Sequence, residues 1–171
     1  VRRQRLAICE LVVVIPASGV ETCLFVNDAK LNVLFPSGER QIPIDEFYLG
    51  VGKTVLEPAE IITEILLPAP AANTGGAFAK LVRTAEDIAK VNAAASITLD
   101  KGVCKDVRIS LGSVAPTVVR AKKAEAILRG KKVDQKLIEQ AAKAAAEEVA
   151  PITDLRSTAA YRKETSGVLV K

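Results

Sequence analysis

Polar and apolar positions change rhythm along the chain. In the first part, short stretches of β type alternate with turns. Residues 11–15 (LVVVI) are continuously apolar and rich in β-branched residues, which predicts a buried strand. Glu10 interrupts the apolar stretch that begins at Leu6, so a signal peptide is the poorer reading. Residues 29–35 (AKLNVLF) alternate as a strand does, and 36–39 (PSGE) form a turn. Residues 40–44 (RQIPI) can return as the second arm of a hairpin, with Pro43 ending it or placing it at an edge. Asp45 to Leu49 predicts one helical turn stopped by Gly50-Val51-Gly52, and 60–67 (EIITEILL) predicts a strand stopped by Pro68. Residues 71–76 (AANTGG) have linker composition.

Beyond that stretch, 77–82 (AFAKLV) predicts a strand. Residues 90–99 and 103–111 predict an antiparallel pair joined by a turn at Asp100-Lys101-Gly102. The rhythm then becomes helical: Ala121, Ala124 and Leu128 share a face, and Gly130 follows as a stop. Asp134 can cap a helix whose apolar side is Leu137, Ile138, Ala141, Ala145 and Val149, with Pro151 beyond it. A last helix is expected from about Thr158, with Tyr161, Val168 and Leu169 inward. The class is α+β, in two small units.

Composition changes this picture mainly through what is missing. Of 171 residues, 49% are hydrophobic and 26% charged, as expected of a folded globular chain without a membrane span. The net charge of +4 is small and dispersed, and only 4% of residues are aromatic, which argues against a nucleic-acid partner. There is no histidine, which removes Ser-His-Asp and Cys-His nucleophiles and histidine-bearing zinc sites. There is no methionine either, so the chain is expected to be a processed or partial product. Cys9, Cys23 and Cys104 form no Cys-x-x-Cys pair, and three cannot build a Cys₄ cluster. Buried, reduced thiols in a cytoplasmic compartment are expected.

The carboxylate pairs Asp45/Glu46, Glu57/Glu60 and Glu147/Glu148 flank turns or face solvent on a helix. General acid–base work needs one carboxylate in a pocket, and none is singled out. Residues 50–54 (GVGKT) contain Gly-Lys-Thr, but a phosphate loop needs a glycine at position 47, which is Phe47. Lys122-Lys123 and Lys131-Lys132 read as solvated helix faces. By its own chemistry the chain is non-catalytic, and any reaction it serves belongs to a cofactor or a partner.

The order of motifs goes further. Residues 50–65 (GVGKTVLEPAEIITEI), then Phe78-Ala79-Lys80 with Arg83, then 86–92 (EDIAKVN), form one series. Residues 110–117 (SLGSVAPT) with Arg120-Ala121, and 151–162 (PITDLRSTAAYR), complete it. These five motifs, in this order, resemble the FAD-binding medium subunits of molybdenum hydroxylases, the xanthine dehydrogenase and carbon monoxide dehydrogenase relatives. The resemblance implies that residues 1–73 are the latter half of an α/β FAD-binding domain. It implies that 74–171 are a small C-terminal domain, a three-stranded antiparallel sheet packed on helices.

It also implies a cofactor, FAD, and two flavin contacts. Lys80 would stabilise negative charge at the pyrimidine edge of the ring, and Ile62 would pack on it. The plain alternatives are an exposed strand lysine and a core isoleucine. Arg83, Asp87, Asp154 and Arg156 are expected to hold the C-terminal part together by ion pairs and capping. The implied partners are an iron–sulfur small subunit and a molybdenum-cofactor large subunit in a hetero-oligomer. Two departures stand out. The family's first glycine-rich pyrophosphate loop has no counterpart in the chain. In the second, Ile8 and Cys9 replace two glycines and Glu10 an asparagine, while the acid after its proline falls on Gly19. Weak FAD binding is therefore expected, and a docking subunit or remnant without flavin is the alternative.

Overall fold

The computed structural model describes residues 4–6, as backbone, and 19–171 apart from Ala85. The strand expected over 11–15, Cys9 and the degraded flavin loop lie outside the described residues. Among the described residues there are three antiparallel sheets. The first runs β1 (Gln4–Leu6), β6 (Ile61–Leu67), β2 (Lys30–Phe35), β3 (Gly38–Pro43) across its width. The hairpin between β2 and β3 has the expected register, closing with Phe35 opposite Gly38 and Lys30 opposite Pro43. Proline ends β3 because it has no N–H for the ladder. A single turn of helix, α2 (Ile44–Phe47), follows.

That turn is one residue early and shorter than expected. Tyr48 leaves it to begin β4 (Tyr48–Gly50), which pairs with β5 (Lys53–Thr54) around a turn in which Gly52 has φ +64°. The reason is aromatic packing. Tyr48 lies edge-on to Phe47 at 4.9 Å between centroids and stacks on Phe25 at 6.2 Å, which an extended residue reaches and a helical one would not. Lys53 and Thr54 therefore sit on a small hairpin, not at the start of a helix, and no phosphate loop is formed.

The second sheet runs β10 (Val119–Arg120), β9 (Val103–Gly112), β8 (Val91–Asp100), β7 (Thr74–Leu81). Its three long strands are the expected antiparallel set, and two-residue β10 extends it. Gly75 and Gly76 are strand residues paired with Ile97 and Ser96, not linker. Small residues on an edge strand tolerate β geometry when the neighbouring strand supplies the hydrogen bonds.

One face of this sheet carries Val91, Ala93, Ile109 and Leu111, packed on α3 (Lys122–Leu128), α4 (Gln135–Glu147) and α5 (Ala159–Val170). Asp134 caps α4, its Oδ1 accepting from the Leu137 N–H at 2.8 Å. Glu148 is not merely solvated: its carboxylate accepts from the Lys123 and Ala124 N–H groups at the start of α3. α5 departs from expectation. Tyr161 and Val168 are exposed, Leu169 packs on the core, and the buried side chains are Arg162 and Ser166. The polar pair faces inward because both make local or cross-element hydrogen bonds there. Ser166 donates to the Arg162 carbonyl at 2.7 Å, and the Arg162 guanidinium reaches the Lys90 and Ser113 carbonyls at 3.1 and 2.9 Å.

The other face of the sheet is covered by a helix that hydrophobic rhythm did not reveal, α1 (Val20–Val26). It lies between the two halves. Leu24 and Phe25 enter the first core with Leu31, Ile62, Ile65 and Val118, the last from the segment directly before β10. Its polar side meets the second sheet.

Candidate functional site

Lys80 comes from β7, and cross-strand partners stand side by side on one face of a sheet. Lys80 is opposite Asn92 and Phe78 is opposite Ala94, so these four share the face that α1 covers. The Thr22 side chain of α1 descends onto it. Its Oγ1 donates to the Gly19 carbonyl at 2.8 Å and approaches the Asn92 Oδ1 at 3.0 Å. Ser110 of β9 donates to the Thr22 carbonyl at 2.7 Å. Thr22, Asn92 and Ser110 are fully buried, which makes a polar seam inside the protein beside half-buried Lys80. The Asn92 Nδ2 has no hydrogen-bond partner. A buried donor left over next to a lysine suits an acceptor-bearing group better than it suits a closed core.

Gly19 begins α1 with φ +94°, a conformation that favours glycine, and a Cβ there would fall 2.6 Å from the ring of Phe78. The aspartate that the resemblance would place at this position would have to displace the Phe78 ring. Phe78 thus closes over the start of α1, on the same face as Lys80.

Ile62 stands on the other sheet. It pairs with Val33 in the β2–β6 ladder and is 6% exposed, within the first core. Lys80 and Ile62 therefore belong to different sheets joined by α1. Arg83 pairs with Asp87 at 3.0 Å, and Asp154 pairs with Arg162 at 2.7 Å and Arg156 at 3.3 Å. All four make ion pairs, as expected, but Arg83–Asp87 and Arg156–Asp154 are local and exposed, and only Asp154, through Arg162, ties its turn to α5. The Arg156 and Ser157 N–H groups bond the Asp154 Oδ1, and with Arg162 beside it they hold its carboxyl near a pKa of about 2.

Of the described thiols, Cys104 is buried as expected and Cys23 only partly so. Burial pushes both thiols up, with the Glu21 charge adding to the effect at Cys23. Burial likewise pushes Tyr48 up, again with Glu21 contributing. No group of three or more metal-ligating side chains occurs among the described residues. Among them, too, no helix is long and apolar enough to cross a membrane.

The family model for the C-terminal domain of the CO dehydrogenase flavoprotein matches residues 76–171, more than half of the chain. The model for the FAD-binding domain in molybdopterin dehydrogenase matches residues 10–70. This chain belongs to the FAD-binding medium-subunit family of molybdenum hydroxylases. Within that family it is 37% identical to the carbon monoxide dehydrogenase medium chain of Hydrogenophaga pseudoflava, over 80% of this chain and 47% of the relative. It is 32% identical to a putative xanthine dehydrogenase FAD-binding subunit of Escherichia coli, over 82% of this chain and 49% of that subunit.

Structure agrees. A chain of the H. pseudoflava carbon monoxide dehydrogenase lacking the Mo-pyranopterin moiety superposes with a TM-score of 0.90 at 36% identity, covering 94% of this chain and 56% of that one. Quinoline 2-oxidoreductase from Pseudomonas putida superposes with a TM-score of 0.85 at 26% identity, over 94% and 55%. The chain spans about half the length of the medium-subunit relatives it matches. FAD is the cofactor of this family by its FAD-binding domain, and its curated members include medium chains of multi-subunit oxidoreductases.

Within the medium-subunit family signature, Asn92 closes the 86–92 motif but carried no role in the sequence reading. Thr22 has no role in the motifs either, and Gly19 figures there only as the position of the family's acid. Their signal is faint: a threonine and a glycine beside a mostly apolar seven-residue helix look like any turn.

Proposed function

We propose that this chain serves as the flavin-binding part of a medium subunit in a molybdenum hydroxylase. In this reading electrons from a molybdenum cofactor in a large subunit pass through iron–sulfur clusters in a small subunit and reach an acceptor by way of FAD. The observation that carries it is the superposition along 94% of the chain on a carbon monoxide dehydrogenase chain. The lysine of the family motif also stands there beside an unsatisfied buried amide. Bound FAD would supply the redox centre, which this chain's own side chains do not provide.

The residues then divide the work. The Lys80 ammonium places positive charge where a ring acceptor gains negative charge on reduction. Asn92 offers a hydrogen bond at the same edge, and α1 lies over β8 and β9 on that face, with the Phe78 ring against the start of the helix. Ile62 is proposed as an aliphatic wall, of which only an edge is open.

FAD titration followed by visible absorbance and flavin fluorescence tests this. Lys80→Ala is expected to weaken FAD binding about tenfold, the loss of one charge-assisted contact; unchanged affinity overturns the assignment. The wild-type chain is expected to bind weakly, because Glu10 replaces an asparagine where a pyrophosphate would approach. Restoring the loop with Ile8→Gly, Cys9→Gly and Glu10→Asn should tighten binding about tenfold or more. A stoichiometric flavin band in protein purified without added FAD overturns the weak-binding expectation.

A further inference from the structure

On the side of the molecule opened by α5, the turn Asp154–Ser157 is clamped from within. Asp154 Oδ1 accepts from the Arg156 N–H at 2.8 Å, the Ser157 N–H at 3.1 Å and Arg162 Nη2 at 2.7 Å. The Ala159 N–H bonds the Thr153 hydroxyl at 2.9 Å. The tip of this clamped turn is Leu155, 94% exposed. Beside it, Ile152 is 72% exposed, and Val51 on the β4–β5 hairpin is 74% exposed. Single exposed apolar residues are ordinary, but Val51 and Ile152 border one apolar cleft of about 360 Å³, walled also by Ile88, Ala115 and Pro116. A second, charged lobe shares Ile88 and Arg156 with it and adds Arg83, Lys90 and Leu155.

The charges of the two lobes are unequal. Arg83, Lys90, Arg156 and Arg162 face only Asp87 and Asp154. Both carboxylates are already engaged, Asp87 by Arg83 and the Thr84 N–H, and Asp154 by Arg156 and Arg162. The surface thus presents apolar anchors beside a rim of net positive charge, in which Arg162 is buried and Arg83, Lys90 and Arg156 are the outer cations.

We propose that this cleft docks an acidic segment of a partner protein, with a large apolar side chain in the apolar lobe and carboxylates against Arg156, Lys90 and Arg83. It deepens the subunit reading only in assuming a protein partner, and it does not require flavin. A small amphipathic anion would fill one lobe and leave the other uncovered, since Val51 lines the apolar lobe and Leu155 the charged one. A second copy of the chain would bring the cationic rim against itself in a two-fold contact. A flat bilayer would not enter the concavity. The clamp favours docking because Leu155 is already held in place, so little ordering is lost on binding.

The test uses the full chain and three fluorescein-labelled peptides, in which glutamate alternates with leucine, lysine alternates with leucine, or glutamate alternates with glycine. Anisotropy should show binding of the Glu/Leu peptide above the other two. Leu155→Asp should weaken it about tenfold or more, as loss of a central anchor does. Arg156→Glu should shift the preference toward the Lys/Leu peptide, because the backbone N–H of residue 156, not its side chain, makes the shorter bond to Asp154 and the turn survives. Circular dichroism melts identify any variant that fails to fold, and Leu155→Ala replaces Leu155→Asp in that case. No binding of the Glu/Leu peptide, equal binding of all three, or binding indifferent to Leu155 overturns the proposal. So does tighter binding to phosphatidylserine vesicles than to the peptide, or self-association abolished by the Leu155 variant. FAD titration of the same variants reads the flavin proposal separately, since Leu155 is outside the Lys80 face.

Discussion

At Gly19 the backbone has φ +94° and the Phe78 ring lies where a Cβ would stand. Gly19→Ala therefore meets both backbone strain and a clash. It should lower stability by about 2 kcal/mol, measured as a shift in urea midpoint with m unchanged. Adding Phe78→Ala should recover the clash component but not the strain, which separates the two causes. Asp154 gives a pH prediction. Its carboxyl titrates near 2 in the folded protein, below the ordinary value of about 3.9, first because the Arg156 N–H bonds it and also through Arg162 and the Ser157 N–H. A depressed carboxylate stabilises the fold above its unfolded pKa, and that contribution is lost as pH falls from about 4 towards about 2. Acid unfolding of Asp154→Asn should accordingly show less pH dependence over that window, with lower stability at neutral pH. Equal acid sensitivity of variant and wild type would contradict the assignment.

Among the elements, α4 shows the closest agreement between rhythm and structure. Asp134 stands at its N-cap, Ala141 and Ala145 are buried and Leu137 packs on the core, as the spacing dictates. Asp134→Ala should cost about 1 kcal/mol by leaving the Leu137 N–H without its acceptor, read from thermal melts. α5 went the other way. A helical wheel puts Tyr161 and Val168 inward, but Gly167 lets α5 approach α4 so closely that a Cβ there would lie 3.3 Å from the Ala142 carbonyl. That close contact sets the rotation of α5, and Arg162 and Ser166 then face inward with their hydrogen bonds made. α1 was illegible for a related reason: it has seven residues, an apolar majority and no side-chain cap. Its helical state depends on the two cores it lies between.

Across the whole molecule, α1 joins the halves more tightly than a hinge would. Leu24 and Phe25 enter the first core, and the Ser110 hydroxyl bonds the Thr22 carbonyl. Arg108 pairs with Asp28 at 2.7 Å, and Arg120 donates to the Phe25 carbonyl at 3.4 Å. The two tyrosines report the halves separately, Tyr48 in the first and Tyr161 on α5. Urea transitions of Tyr161→Phe and Tyr48→Phe proteins, followed by tyrosine fluorescence, should have similar midpoints once each variant's own stability by circular dichroism is allowed for. Two separated transitions within one variant would show that the halves unfold independently. Thr22→Val should move the whole transition by about 1–3 kcal/mol, since Asn92 then loses its partner in the buried seam.

Local chemistry alone determined a good deal of this protein. The hairpin of β2 and β3, the β8–β9 pair with its turn, the capped helix α4 and the absence of an imidazole were all written in neighbouring residues, where propensity and short-range hydrogen bonds decide. The family was legible too, because five motifs keep their order along the chain. Tertiary structure decided what lies between those pieces. It made α1 a helix, turned Arg162 inward, set Asn92 and Thr22 beside Lys80, and left Ile62 in the core of a different sheet. These outcomes depend on contacts between residues such as Thr22 and Asn92, seventy positions apart, which no local pattern records. Burial and hydrogen bonding across that distance are settled only when both sheets close on the same helix.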